Sequence, residues 1–305
     1  MKKLLIGILV PTHNPTRKNV QRPMMMPNYP LVFGSSLFVD EKRRVFLEGK
    51  QVSVLYDRFP FQKMAHQYPL HKDIPVPIAN PKNIARLCKD KWGLQQYLTK
   101  KGLVMPDITR TSFSHFLHQN NSIAIAKPRF GSFGVGITIV NKPPPPTLPS
   151  VCGEDETVLQ TWIKPPKNWA GIAVRQLVQR DIDYSWKIRT TVVRCSQTDP
   201  VVNVTRGAQA MPAKKLLPKK SIQNIHQQSV LAAQHLADLP NGNWIVELGI
   251  DFVIDEHWHP WLIEINTQPK GKLKALYKEN PNDYQEEYQD IIEQPFRCLQ
   301  TWCNL

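Results

Sequence analysis

The segments Ile250-Asp251-Phe252-Val253-Ile254 and Leu262-Ile263-Glu264-Ile265-Asn266-Thr267 are two apolar runs that contain carboxylate and amide oxygens. They predict a β-hairpin with its turn from Asp255 to Pro260, in which Asp251 pairs with Glu264, Phe252 with Ile263, Val253 with Leu262 and Ile254 with Trp261. Side chains alternate along a strand, so Asp251, Glu264 and Asn266 would share one face. Mg²⁺ prefers oxygen ligands and is held by few carboxylates, so we interpret this face as a magnesium site. A solvated strand face is the alternative.

A glycine-rich turn between two apolar segments is the second motif. Residues 123–140 read as strand, turn and strand, with Lys127 at the end of the first strand. Glycines permit positive φ and close backbone approach, so their N–H groups can point at phosphate oxygens. The Gly-Lys-Ser/Thr ending of a Walker loop is missing, and no helix follows as a dinucleotide fingerprint requires. A plain hairpin turn explains the glycines equally well.

The third motif is a helical pattern around Lys91. Its apolar positions are Ile84, Leu87, Trp92, Leu94 and Leu98, and Gly102 lies where a helix C-cap is expected. Taken alone, Lys91 would be a solvent-facing lysine on this helix.

The order of these motifs resembles the ATP-grasp superfamily, over about residues 80–270. The elements are Asp90-Lys91 on a helix, Lys127-Pro128 with a glycine loop, an apolar hinge at 158–163, and Asp251 followed by Glu264-x-Asn266. The closing segment 246–269 is similar to the YheC/YheD-type endospore coat-associated branch. Tyr56-Asp57-Arg58-Phe59 also resembles that branch.

The resemblance implies ATP and Mg²⁺ as cofactors and assigns roles to individual residues. Lys91 and Lys127 would reach the nucleotide phosphates, and Asp251, Glu264 and Asn266 would be the Mg²⁺ ligands. The loop formed by Gly131, Ser132, Phe133, Gly134 and Gly136 would close over the triphosphate. Backbone groups of Gln160, Thr161, Trp162 and Ile163 would contact the adenine edge. Most members have glutamate where this chain has Gln160, whose amide can still hydrogen-bond an amino-purine.

Two arginines are candidate contacts for a phosphate or a substrate carboxylate. Many members of the branch have Asp-x-Arg after the hinge, whereas this chain has Lys187-Ile188-Arg189. The missing acid leaves the orientation of Arg189 open, and Arg206 is the second candidate. For both, an ordinary surface strand residue is the alternative.

Composition predicts a globular α/β (α+β) protein with about two domains. The chain has 305 residues, of which 41% are hydrophobic and 21% charged. We expect an N-terminal α/β domain at 1–80 and an ATP-grasp domain at 81–305. The latter would comprise a lid subdomain at about 107–157 and a larger C-terminal subdomain at about 158–305. Leu4–Val10 reads as a buried strand rather than a signal peptide, and no apolar run is long enough for a membrane helix. The five cysteines lack C-x-x-C spacing, which favours a reducing compartment.

The net charge of +14 lies in the first half of the chain. Residues 1–150 hold 22 Lys and Arg against 7 Asp and Glu, whereas residues 151–305 hold 17 against 18. This excess is larger than a nucleotide requires, so it favours an acidic substrate or partner, or non-specific polyanion binding. No sequence motif for specific nucleic-acid recognition accompanies it.

The family resemblance implies an ATP-grasp ligase that joins a carboxylate to an amine or a thiol through an acylphosphate. The expected substrate is a small-molecule or peptide carboxylate. The expected location is the cytoplasm, with spore-coat proteins as further candidate partners. Two alternatives stay open: a spore-coat or interaction protein that binds nucleotide without turnover, and a polyanion-binding module whose affinity falls steeply with salt.

Overall fold

The computed structural model describes residues 5–10, 29–58, 74–110, 123–130, 136–141, 157–202, 208–269 and 273–304. Their strands are β1 (Leu5–Leu9), β2 (Leu31–Gly34), β3 (Leu37–Val39), β4 (Val45–Leu47), β5 (Lys50–Asp57), β6 (Ile78–Ala79), β7 (Ile108–Thr109), β8 (Ile123–Pro128), β9 (Thr138–Asn141), β10 (Thr157–Thr161), β11 (Gly171–Arg180), β12 (Trp186–Ile188), β13 (Val192–Ser196), β14 (Gln209–Pro212), β15 (Glu247–Ile254) and β16 (Pro260–Asn266). The α-helices are α1 (Lys82–Lys89), α2 (Lys91–Thr99), α3 (Lys219–Ala237), α4 (Lys274–Glu279) and α5 (Pro281–Trp302). Within these residues, no helix is both long and apolar enough to cross a membrane.

The first sheet has the strand order β2-β1-β5-β4-β3, with β6 paired to β5. Strand β1 runs parallel to β2 and β5, and four of its five residues are buried. The prediction that Leu4–Val10 contains a buried strand is therefore confirmed. The mixed helix-and-sheet class is confirmed as well, whereas the predicted domain limits stay a prediction.

The second sheet is formed by β7-β10-β8-β9. Strands β8 and β9 pair antiparallel, which confirms the strand, turn and strand pattern around the glycine-rich segment. Strand β10, which contains most of the predicted hinge, pairs with β8 so that Val158 lies opposite Lys127. The lysine and the hinge are therefore on adjacent strands.

The third sheet is antiparallel and has the order β14-β13-β11-β15-β16, with β12 paired to β11. Helices α1, α2 and α3 pack on one face, where Val174, Ile250 and Phe252 are fully or nearly fully buried. Helices α4 and α5 pack near Leu177 on the other face. This second face also holds the polar side chains described below.

The hairpin of β15 and β16 has the predicted pair Asp251 with Glu264, but the predicted register beyond it is wrong. A β-bulge after Asp251 pairs Phe252 with Leu262, Val253 with Trp261 and Ile254 with Pro260, leaving Ile263 as the extra residue. Strict alternation would place Leu262 on the same face as Glu264. The bulge instead turns Leu262 into the core beside Ile265, so the apolar residues stay buried and the carboxylate stays outside.

The helical pattern at 84–98 forms two helices rather than one. Asp90 ends α1 and begins α2, where its carboxylate accepts a hydrogen bond from the Gly93 amide at 3.0 Å. Such N-caps compete with helix continuation and favour a break. Lys91 is thereby the first residue of α2, and only 9% of it is exposed, so the solvent-facing alternative does not hold.

Helix α5 continues through Pro295, which lies inside it. Proline has no N–H, so the carbonyl of Ile291, four residues earlier, loses its helical partner. The side chain of Gln179 on β11 supplies one, because its Nε2 donates to the Ile291 carbonyl at 2.8 Å. The apolar stripe that includes Ile291 and Ile292 packs against the sheet as predicted.

The first and third sheets meet at a buried polar cluster around Glu247, which is fully buried. Its Oε1 accepts hydrogen bonds from the Tyr56 hydroxyl at 2.7 Å and from Arg58 at 2.9 Å, and its Oε2 accepts one from Gln179 at 3.0 Å. Nearby, the Asn80 side chain accepts from the Val246 amide at 3.0 Å. Tyr56 and Arg58, which belong to the first-domain segment that resembles the YheC/YheD branch, thus join the two sheets.

Candidate functional site

The three predicted metal ligands lie together on one face of the third sheet. Asp251 pairs with Glu264, and Gly249 pairs with Asn266, so the side chains of β16 point to the same side as Asp251. The Asn266 amide donates to Asp251 Oδ2 at 3.1 Å. Burial, and next the negative charge of Asp251, raise the pKa of the Glu264 carboxyl. The two carboxylates therefore share a small volume.

Two arginines that the sequence analysis missed hold Asp251. Arg175 lies opposite Asp251 on β11 and donates to both carboxylate oxygens, with the Nη2 to Oδ2 distance at 2.5 Å. Arg194 on β13 approaches Oδ1 at 3.3 Å. Strand β11 contains Arg175 and Gln176 between the apolar segments Ile172–Val174 and Leu177–Val178. A charged residue inside a buried strand indicates that it has a charged partner. The identity of that partner depends on strand pairing, which the local sequence does not show.

The two lysines also converge on this face. Burial lowers the pKa of Lys91, and burial followed by the charge of Lys91 lowers the pKa of Lys127 to about 7. The ammonium of Lys127 donates to the side-chain oxygen of Gln160. Glu264 interacts electrostatically with both lysines, with Arg175 and with Asp251, so it stands at the centre of the charged cluster.

This donor set fits Mg²⁺. Two carboxylates and an amide group on one partly buried face supply hard oxygen atoms, and a divalent cation would relieve the repulsion between Asp251 and Glu264. Among the described residues, no group of three His, Cys, Asp or Glu suits a metal. The Asn266 amide, together with water or phosphate oxygens, would have to complete the coordination.

The hinge residues lie beside the lysines. Gln160 is buried, and its side chain contacts Lys127, so its amide is engaged within the chain. The Thr161 amide donates to the carbonyl of Asp107 at 2.9 Å, and Trp162 and Ile163 are half-buried. The predicted contact of these four residues with adenine stays a prediction.

The glycine loop and one arginine lie largely outside the described residues. Gly131, Ser132, Phe133, Gly134 and Arg206 belong to undescribed segments, so their predicted roles stay predictions. Gly136 is described and has φ of +74°, a left-handed conformation that favours glycine.

Arg189 lies further along the same face, next to α5. Its Nε donates to the Gln179 side chain at 2.8 Å, and its Nη1 is paired with Asp290 of α5. These contacts fasten the helix to the sheet, and the predicted substrate contact of Arg189 stays a prediction. Lys187, which replaces the acid of the branch pattern, lies 3.6 Å from Asp181.

The sequence matches a known family model over the larger part of the third sheet and its helices. Residues 145–298, half of the chain, match the model described as YheC/D like ATP-grasp. The chain belongs to the YheC/D-like ATP-grasp family. The predicted family is therefore confirmed, and the match includes Asp251, Glu264 and Asn266 but neither predicted phosphate lysine. No curated protein sequence matches the chain.

Several solved ATP-grasp structures share the fold. D-alanyl-alanine synthetase A from Vibrio cholerae is 11% identical with a TM-score of 0.63, and the superposition covers 97% of this chain and 99% of that one. The VanG D-Ala:D-Ser ligase from Enterococcus faecalis is 10% identical with a TM-score of 0.65 and the same coverage. The ATP-grasp ligase PsnB, complexed with a minimal precursor, is 13% identical with a TM-score of 0.61, covering 95% of this chain and 98% of that chain. At these identities the likeness confirms the predicted ATP-grasp fold.

Proposed function

We propose that this protein is an ATP- and Mg²⁺-dependent ligase that joins a carboxylate to an amine or a thiol. Family and fold support an ATP-dependent ligase in general. The observation on which the assignment rests is the position of Glu264. Its carboxylate interacts with Lys91, Lys127, Arg175 and Asp251, which combines a metal-binding face with two phosphate-binding cations.

The proposed reaction has two steps and needs no side-chain nucleophile. A substrate carboxylate oxygen attacks the γ-phosphorus of ATP, the bond to the β,γ-bridging oxygen breaks, and ADP leaves. The amine or thiol then attacks the acylphosphate carbon, loses its proton, and inorganic phosphate leaves. Catalysis comes from positioning and charge neutralisation rather than from covalent participation of the protein.

The charged residues have separate proposed roles. Lys91 and Lys127 hold the phosphate oxygens on which charge develops, and Asp251, Glu264 and Asn266 hold Mg²⁺. Mg²⁺ supplies charge neutralisation on the phosphates when bound. Arg175 and Arg194 add two cations beside the metal-binding face, and Asp251 keeps their guanidinium groups in place. They are better placed for an anionic group near the metal face than Arg189, which is engaged with α5.

The proposed substrate is a small-molecule or peptide carboxylate. The names of the similar structures include a D-alanyl-alanine synthetase, a D-Ala:D-Ser ligase and a ligase complexed with precursor peptide PsnA2 and AMPPNP. The basic first half of the chain supports an acidic substrate. The family resemblance further supports a cytoplasmic location with an association with spore-coat proteins.

The test is ADP release by the purified protein. ATP with Mg²⁺ should raise the melting temperature in a concentration-dependent way, because the ligand binds only the folded state. A panel of amino acids, peptides and acidic polymers should then identify an acid that triggers ADP release. Glu264→Gln should abolish this release while retaining much of the nucleotide affinity. Absence of any thermal shift at millimolar ATP and Mg²⁺ would overturn the proposal.

One observation favours a second candidate, a nucleotide-binding protein without turnover. Both oxygens of Asp251 already accept two hydrogen bonds each, from Arg175, Arg194 and Asn266. A carboxylate with this many donors is a weaker metal ligand than a free one. ATP binding with no ADP release across the whole panel would support this candidate over the ligase.

A further inference from the structure

An ion pair between Asp90 and Arg129 connects the two segments that contain the lysines. Arg129 Nε donates to Asp90 Oδ1 at 2.7 Å, and its Nη2 donates to Oδ2, so the guanidinium and carboxylate form a bidentate pair. Asp90 precedes Lys91, and Arg129 follows Lys127 by two residues. The pair therefore joins residues that flank the two lysines in the sequence.

Backbone contacts reinforce this junction. The Lys91 amide donates to the Arg129 carbonyl at 3.2 Å, so helix α2 and the end of β8 touch directly. The Arg129 guanidinium lies 5.3 Å from the centre of the Trp92 ring and 4.9 Å from that of Phe130. Cation–π contacts of this kind add to the ion pair and restrict the rotamers of Arg129.

Gly93 makes room for the pair. A Cβ atom at this position would lie 2.8 Å from Asp90 Oδ2, which is closer than real Cβ contacts. Any side chain at position 93 would displace the carboxylate that accepts from both Arg129 and the Gly93 amide. The sequence Asp90-Lys91-Trp92-Gly93 is thus suited to a fixed carboxylate next to Lys91.

The junction opposes the repulsion between two buried cations. Lys91 and Lys127 are 9% and 6% exposed, and the charge of Lys91 disfavours that of Lys127, whereas Glu264 and Asp90 favour the charge of Lys91. Glu264 offsets part of this repulsion, and the attachment between α2 and β8 keeps the two ammonium groups from separating when no nucleotide is bound.

We propose that the Asp90–Arg129 ion pair is a positioning pair that holds Lys91 and Lys127 together as one preorganised site for the ATP phosphates. This inference rests on the proposed function, because it takes ATP as the anion. Cations that are already held close together bind phosphate without a further free-energy cost for bringing like charges together. The pair acts through the lysines and is not itself catalytic.

The test measures the affinities of ATP and of adenosine for variants of the Asp90–Arg129 pair, by calorimetry in the presence of Mg²⁺. Asp90→Asn retains an acceptor for the Gly93 amide but loses the charge, and Arg129→Gln removes the other partner. Each should weaken ATP binding on the order of tenfold and leave adenosine binding unchanged. The double variant should lose no more than either single variant, because the two residues act as a unit. In turnover, the loss should appear mainly in KM for ATP.

Matched controls separate positioning from stability. Arg44 is also paired with an aspartate, in the first sheet, where its guanidinium contacts Asp40 Oδ2 at 2.6 Å, so Arg44→Gln should leave ATP affinity unchanged. Arg129→Lys should recover part of the affinity if the lost charge is responsible. Hydrogen exchange of the Lys91 amide, measured without nucleotide, should accelerate in Arg129→Gln even if the variant remains folded.

The outcomes distinguish this inference from the proposed function. Failure of the wild-type protein to bind ATP would overturn the proposed function. Wild-type ATP binding that both variants reproduce without loss would overturn the positioning role alone. Equal losses of ATP and adenosine affinity would also overturn it, since they would indicate a general structural effect.

Discussion

Lys127 is a buried lysine whose charge is disfavoured by burial and by Lys91 and favoured by Glu264. Its carbonyl partner on Gln160 is neutral, and the charges near it are the cation of Lys91 and the carboxylate of Glu264. Glutamate at position 160 would place a carboxylate directly beside the lysine and neutralise it within the protein. With glutamine there, Glu264 is the nearby carboxylate, and the phosphates of a nucleotide would add a further counter-charge.

Lys127→Met should weaken ATP binding by about ten- to a hundredfold, because a charge-assisted hydrogen bond contributes about 1.5 to 3 kcal/mol. Adenosine should bind equally to both proteins, since it lacks phosphates. Lys164→Met is the matched control, because that lysine side chain is 71% exposed and paired with Glu256. Calorimetry with ATP and adenosine checks this. Unchanged ATP affinity in Lys127→Met would reject the phosphate role.

The same substitution should stabilise the free protein, and more at low pH than at high pH. The pKa of Lys127 is lowered to about 7 in the folded state, below the unfolded value of 10.5. Between these values the unfolded chain binds the extra proton, so wild-type stability rises with pH across that window. Below about pH 7, folding must bury the charge, and methionine avoids that cost. Urea unfolding at pH 6 and pH 9 measures the difference, and an equal effect at both pH values would contradict the lowered pKa.

At the scale of the elements, the order of the motifs along the chain predicted more than the spacing of residues within each motif. The ordered motifs gave the family, the strand and turn around the glycines, and the pair of Asp251 with Glu264. The bulge at Ile263 escaped because Leu262 and Ile263 are equally apolar, and only core packing decides which one turns inward. Arg175 and Arg194 escaped because they meet Asp251 across strands far apart in the chain.

Gly249 on β15 is a further element-scale feature, because its missing side chain leaves room for its neighbours. A Cβ there would lie 2.8 Å from the Pro269 side chain and 3.3 Å from Arg175 Nη1. Gly249→Ala should therefore destabilise the protein by about 1 to 3 kcal/mol through overpacking and displace Arg175 from Asp251. Urea unfolding measures the first effect. Wild-type stability in this variant would mean that Pro269 and Arg175 move aside at little cost.

At the scale of the whole molecule, the Glu247 cluster joins the first sheet to the third. Removing Arg58 would take away the cation that pairs with the fully buried Glu247 carboxylate, which also accepts hydrogen bonds from Tyr56 and Gln179. Breaking a buried ion pair by removing one partner costs about 3 to 5 kcal/mol. Arg58→Met should therefore lower stability strongly, whereas Arg44→Met, in a pair with an arginine side chain 47% exposed, should have little effect. Similar losses from both substitutions, in calorimetric scans, would show that the cluster does not couple the sheets.

The two arginines that contact Asp251 also affect how stable the protein is when no metal ion is bound. A metal site whose carboxylates are balanced only by the ion collapses or loosens when the ion is stripped away. Here Arg175 and Arg194 already balance Asp251, and the lysines lie near Glu264. Dialysis against a chelator should therefore leave the melting temperature of the nucleotide-free protein unchanged, while it abolishes any thermal shift that depends on both ATP and magnesium. A chelator-induced drop would show that the ion is a structural component, so every purification buffer would have to contain it.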